Sequence, residues 1–246
     1  MILVSSWDDG HPFDGRLAEM YARRGLTATF YVPLRNREGR PVMTAEEIRG
    51  LYRAGFEIGS HTAGHRYLDS LTLEEAHAEV RAGKEGLEQL LGQAVPGFCY
   101  PGGRRPARAR ELLRAVGITH ARTVENLRSD PRFDWHEIPT TLQFYPHRWP
   151  ALVRNAIRLP LRQLRHKLAL IRRIRRYRSG LDALPDLIEA RAADDYVFHL
   201  WGHSWEVEAL DSWPKLGAVL DAAAACCERS LTVGQLWAAV ASASGA

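Results

Sequence analysis

Ile2-Leu3-Val4-Ser5-Ser6-Trp7-Asp8-Asp9-Gly10 begins as a short apolar run and ends in two adjacent carboxylates and a glycine. Ile2-Leu3-Val4 reads as a buried strand, and the stretches that follow say what kind of sheet it joins. Residues 16–24 have helical spacing and stop at Gly25, and the β-branched and aromatic run 27–32 makes a second strand. Thr44-Ala45-Glu46-Glu47 is a capping-box pattern opening a helix that ends by Gly55, before a third strand at Phe56-Glu57-Ile58. Thr72-Leu73-Glu74-Glu75 caps a further helix reaching Leu91, followed by a strand at 97–100, a helix at 107–116 and a strand at 119–124. A late strand at 196–200 and closing helices at 214–227 and 231–240 complete the pattern. Such alternation predicts an α/β chain with a mainly parallel sheet, open or closed into a barrel.

The 246 residues, 46% hydrophobic and 25% charged, fit one large globular domain with a sizeable core and exclude a disordered or fibrous chain. A single unit over 1–246 is expected, with a basic helical insertion at about 150–180. That segment is the source of the chain's net positive charge, +4 overall: between Arg148 and Arg178 stand ten arginines, one lysine and no acid. Ile157, Leu161, Leu164, Leu168, Ile171 and Ile174 recur there at steps of three and four, an amphipathic helix with Pro160 near its start. Its basic face at 157–178 is read either as solvated or as a contact for anionic lipid or lipid phosphate. It lacks the aromatic interleaving of a nucleic-acid surface, so no nucleic acid is expected. Three cysteines make no disulfide framework, no signal-type segment precedes the first strand, and no apolar run approaches the roughly 20 residues of a membrane span. The expected location is cytoplasmic, with the basic helix able to reach the inner face of the membrane.

Reactive groups of α/β barrels gather at the C-terminal ends of strands. Three strand ends here are polar: Ser6-Trp7-Asp8-Asp9-Gly10, Ser60-His61-Thr62-Ala63-Gly64-His65 and Trp201-Gly202-His203. His61 and His65, four apart, are expected on one helical turn, both imidazoles facing one ion. One carboxylate added to them makes a three-ligand site with a fourth position open to water, the arrangement of a catalytic metal. Two adjacent carboxylates suit a division of labour, one binding the metal and one activating the water.

These residues resemble the polysaccharide deacetylases, the NodB-like carbohydrate esterases, in motifs that follow in order over about 200 residues. The resemblance implies a distorted, incomplete (β/α) barrel and a metal-dependent N-deacetylase of amino sugars. It implies Asp8 as general base, Asp9, His61 and His65 as metal ligands, and His203 as general acid. Phe98-Cys99-Tyr100-Pro101-Gly102-Gly103 resembles the motif that lines the groove, with Tyr100, Pro101 and Gly102 beside substrate or oxyanion. The metal implied is zinc, with cobalt, nickel or manganese as alternatives. The sequence departs from the pattern at Cys99, where an arginine often orients the base; Arg122 is the candidate to replace it. The aromatic usual before the final glycine is Gly102, and the aspartate that tunes the catalytic histidine is matched weakly at Asp134-Trp135. Trp201, Trp205, His147, His11 and Glu206 are further candidates for the pocket or its support. The basic helix points to a lipid- or nucleotide-linked glycan precursor of cell-envelope or exopolysaccharide assembly as substrate. Two alternatives stay open: hydrolysis of another C–N bond, in a cyclic amide or formamide, and a catalytically silent metal- or sugar-binding relative.

Overall fold

The computed structural model describes residues 1–126, 133–147, 181–191 and 197–243, with a few single positions between 150 and 179. The strands are β1 (Ile2–Trp7), β2 (Thr29–Val32), β3 (Glu57–Ser60), β4 (Gly97–Cys99), β5 (His120–Arg122), β6 (Leu142–Gln143), β7 (Val197–Gly202) and β8 (Arg229–Leu231). Between and after them run helices α1 (Asp14–Ala22), α2 (Ala45–Arg53), α3 (Leu73–Leu91), α4 (Ala109–Ala115), α5 (Leu184–Arg191), α6 (Ser204–Ala209), α7 (Trp213–Cys226) and α8 (Val233–Ala243).

The strand order is β5-β4-β3-β2-β1-β7-β6, with β8 alongside the first half of β1, and the pairings are parallel. The sheet curls until its two edges are joined by one short segment. Trp135 O accepts from Ala121 N at 2.6 Å and Ile138 N donates to Ala121 O at 2.8 Å, and the chain then runs on into β6 beside β7. This is the distorted, incomplete (β/α) barrel that the resemblance implied.

β1 is buried on both faces, as a central parallel strand must be. Leu3 and Trp7 join Leu17, Ala18 and Tyr21 of α1 in the outer core, and the Trp7 indole donates to Tyr21 Oη at 3.1 Å. Val4 faces inward with Tyr31, Cys99 and Ile138. Each fully buried side chain of this size contributes about 1.5–3 kcal/mol. Gly59 makes room for the interior: a Cβ there would lie 2.5 Å from the Tyr31 ring, so a side chain on β3 would evict it.

The capping boxes at Thr44 and Thr72 are formed in both directions, to Glu47 and Glu75. The last helix starts later than its pattern suggested, at Val233, because Leu231 ends β8. Strands β6 and β8, of two and three residues, are too short to carry a readable period. The basic amphipathic helix falls mostly at 151–171, outside the described residues. Among the described residues no helix is long and apolar enough to cross a membrane.

Candidate active site

Parallel pairing brings the ends of β1, β3, β4, β5 and β7 to one rim. The register Trp7↔Gly202 continues into a bond from Asp8 N to Gly202 O at 3.0 Å, so both aspartates and His203 leave the sheet together. A cleft of about 250 Å³ opens there, lined by Asp8, Asp9, His61, His65, Gly102, Trp201, His203 and, beyond these, Glu38, Arg40, Tyr67, Val124 and Trp205.

His61 and His65 do not share a helical turn. The chain after β3 is a loop in which Thr62 and His65 have left-handed backbones, φ 67° and 53°, and this brings the two rings to 5.0 Å. The loop is pinned from α3, where Glu79 accepts from Gly64 N at 2.8 Å through its carboxylate and from Ala63 N at 3.0 Å through its carbonyl. Asp9 is left-handed too, at φ 76°. Three of the four such non-glycine residues among the described ones thus stand in this cluster, where a strained backbone holds reactive side chains.

Asp9 Oδ1 lies 3.0 Å from His65 Nε2 and 3.7 Å from His61 Nε2. Bonds of about 2.1 Å in a tetrahedron put ligand atoms about 3.4 Å apart, so these distances suit a shared ion. The 3.0 Å approach is not aligned as a hydrogen bond, and Oδ1 is a buried oxygen without a hydrogen-bond partner. Burial pushes the Asp9 carboxyl up, but the close approach of His65 and the charges of His203, His61 and His65 outweigh it and hold the group well below the usual carboxylate range. Burial brings His61 down to about 4, aided by His65 and opposed by Asp8 and Asp9, so its imidazole is neutral and ready to bind metal. Its Nδ1 donates to Cys99 O at 2.8 Å, which leaves Nε2 as the lone-pair atom facing Asp9. Asp8, His61 and Cys99 form a second close group. It is the poorer site: burial keeps the Cys99 thiol protonated and Asp8 is engaged by Arg122.

Asp8 and Asp9 therefore have different company. Arg122 is fully buried, its Nη2 on Asp8 Oδ1 and its guanidinium 5.3 Å from the Tyr31 ring and 4.9 Å from that of Trp201. It reaches Asp8 from β5 while Cys99 Sγ sits 3.7 Å from Asp8 Oδ2. Arg122 meets the aspartate and not the open cleft, so a direct substrate contact is not its place.

His203 Nδ1 hydrogen-bonds Glu206 Oε2 at 2.7 Å, and Trp201 and Trp205 flank the ring at 5.6 and 5.3 Å. Burial lowers the His203 pKa, but the Glu206 hydrogen bond and the charges of Asp9, Asp8 and Glu206 raise it more. The carboxylate on the histidine is thus Glu206. Asp134 instead pairs with Arg110 and accepts from His136 N at 2.8 Å.

The other sequence candidates divide. Gly102 lines the cleft with a left-handed backbone, φ 60°, and the space where a Cβ would stand is covered by the Tyr67 ring at 3.0 Å. Pro101 is buried at the start of the same turn. Tyr100 is turned away, fully buried with its hydroxyl on His136 O at 3.0 Å. His147 stands behind Glu206: its Nε2 is 2.8 Å from Gln143 Oε1, and Gln143 Nε2 donates to Glu206 at 3.3 Å. His11 packs on Phe13, with ring centroids 4.8 Å apart. Sequence reading missed the outer contacts of the cluster. Trp205 donates its indole N–H to Asp9 Oδ2 at 2.8 Å, and Glu38 and Arg40 reach the cleft from the loop after β2. Trp205 stood among the sequence candidates for its place beside His203, but not as a partner of Asp9; nothing in the sequence around Glu38 marks it.

A family model described as polysaccharide deacetylase matches residues 2–121. Chitin deacetylase 1 of Cryptococcus neoformans var. grubii is 31% identical over 115 residues, 46% of this chain and 24% of that protein. This chain thus spans only about a quarter of that relative's length. Among solved structures, the chitin deacetylase of Colletotrichum lindemuthianum superposes with a TM-score of 0.62 at 18% identity, over 96% of this chain and 86% of the other. A family 4 carbohydrate esterase from Streptomyces lividans gives 0.56 at 15%, over 91% and 89%. At these identities the structural likeness is one of fold.

Proposed function

We propose, for a chain that belongs to the polysaccharide deacetylase family, a metal-dependent hydrolase that removes an N-acetyl or other N-acyl group from an amino sugar. The observation that carries this reading is the divided pair, Asp9 turned to His61 and His65 and its neighbour Asp8 turned to Arg122.

Asp9, His61 and His65 would hold a divalent ion, zinc first among those such donors accept, and it would polarise an acyl carbonyl and acidify a water. Asp8, fixed in one orientation by Arg122, takes the proton of that water. Arg122 acts through Asp8 and so is a positioning residue. Gly102, on the cleft wall, would offer its backbone N–H to the oxygen on which negative charge develops. His203, oriented by its Nδ1 hydrogen bond to Glu206, gives a proton to the amine, which is too basic to leave unprotonated. Trp201, Trp205 and Tyr67 supply the aromatic walls for the sugar.

The relatives' names state chitin; for this chain the charge of the 148–178 segment favours an amino sugar carried on a nucleotide or lipid phosphate. Acetate release from chitin oligosaccharides and from nucleotide- and lipid-linked N-acetylated amino sugars, with Asp8→Asn as control, tests both parts. Release by the wild type that the variant loses supports the deacetylase and ranks the carriers. No release from any of them by metal-loaded protein would overturn it.

A further inference from the structure

Each candidate metal ligand has a second polar atom that must be held for the first to aim correctly. Asp9 Oδ2 is held by the Trp205 indole at 2.8 Å, and His61 Nδ1 by Cys99 O at 2.8 Å. His65 Nδ1 is different: it is buried, has no hydrogen-bond partner, and faces Glu38 Oε1 at 3.7 Å.

Glu38 is itself gripped from two sides. Tyr67 Oη donates to its Oε1 at 3.2 Å, and Arg40 Nη1 pairs with its Oε2. The same Arg40 guanidinium lies 4.1 Å over the Trp205 ring. One arginine therefore ties the residue that orients Asp9 to the residue that faces His65. The loop carrying Glu38 and Arg40 is fastened to both ligand loops, by Arg35 N on Ala63 O at 3.0 Å and by Met43 N on Gly10 O at 2.7 Å.

We propose that Glu38, Arg40 and Trp205 form an outer clamp that sets how tightly Asp9, His61 and His65 hold their ion. The proposal rests on the metal reading above. Glu38 serves as the carboxylate for His65 Nδ1–H, fixing the tautomer that leaves Nε2 free and making the ring a stronger donor. Trp205 fixes Asp9 through Oδ2 so that Oδ1 points at the ion, and Arg40 couples the two. Outer partners of this kind are worth about 10–100-fold in metal affinity. All three are positioning residues, and because they line the cleft, an occupant that touches Arg40 also touches the clamp.

The test is competitive titration of zinc against a chromophoric chelator, on wild type, Glu38→Gln, Trp205→Phe and the double variant. Glu38→Gln keeps the side chain's shape, and Trp205→Phe removes the indole N–H while keeping a ring beneath Arg40. Each single variant is expected to bind zinc about 10–100-fold more weakly with little change in apo thermal stability. The double variant is expected to lose less than the product of the two, and Arg40→Met to abolish that coupling. Variants that bind as tightly as wild type, or that only lower apo stability, would overturn the clamp while leaving the metal site standing. A wild type that binds no zinc would instead overturn the metal reading, and the clamp with it.

Discussion

The two ends of this barrel treat buried polar groups in opposite ways. At the N-terminal end Glu57, on β3, accepts from Thr29 Oγ1 at 2.8 Å and from Gly234 N at 2.8 Å, and meets His120 Nε2 at 3.1 Å. Thr29 in turn accepts from Val233 N at 2.9 Å, and Trp237 stacks on His120 at 5.9 Å. No atom of this group is among the buried polar atoms that lack a partner. At the C-terminal end, Asp9 Oδ1, His65 Nδ1 and Arg122 Nε and Nη1 all lack one, and three residues there have left-handed backbones. A satisfied network stabilises a fold, whereas unsatisfied groups in strained positions cost stability and are kept where they act on something else. In barrels these are the stability face and the chemical face.

The contrast is sharpest if Asp9→Asn costs at least about 10³-fold in deacetylation while apo stability, read by urea unfolding, stays within about 1 kcal/mol. A large loss of apo stability would mean that Asp9 belongs to the framework. Arg122→Met should break the contrast, since it strips a buried carboxylate of its partner. A loss of about 3–5 kcal/mol in unfolding free energy is expected alongside lost activity. At the other end, Glu57→Ala leaves three partners unmatched and should cost about 2–3 kcal/mol with kcat unchanged. A drop in kcat without a drop in stability would refute the division of the two ends. The smallest effect is on pH. Burial raises the Glu57 carboxyl, but the His120 hydrogen bond and charge, Gly234 N–H and Thr29 hydroxyl outweigh it, and its pKa lies below the usual value. Its contribution is therefore present above the unfolded carboxylate pKa, about 4.3, and fades as pH falls through the lower folded value. Urea midpoints between about pH 6 and pH 3 should fall more steeply for wild type than for Glu57→Gln.

These two ends were not equally legible in the sequence. The chemical face is written in short local strings, Asp8-Asp9-Gly10 and His61 to His65, each following an apolar strand, and the two capping boxes were local as well. What local spacing misread was conformation: four residues apart suggested a helical turn, whereas left-handed Thr62 and His65 bring the rings together in a loop. The stability face could not be read, because its contacts join positions 57, 120 and 234, which only the closed sheet brings together. The same holds for Glu38 beside His65. The carboxylate on His203 could be narrowed but not chosen, since Glu206 and Asp134 were both on offer and only packing separates them.

The contact between Trp205 and Asp9 joins residues 196 positions apart, and β1 itself pairs along its whole length with β7. A ribosome adding about 5–20 residues per second needs roughly 10–40 s to go from one to the other. For that time β1 has no β7 to pair with, and Asp9 has no indole to orient it. On the proposed clamp, the last factor of about 10–100 in metal affinity would therefore arrive with the final strands, after the segments that supply the ligands. A nascent chain carrying all of residues 1–126 would hold the three proposed ligands but not yet the indole that orients Asp9.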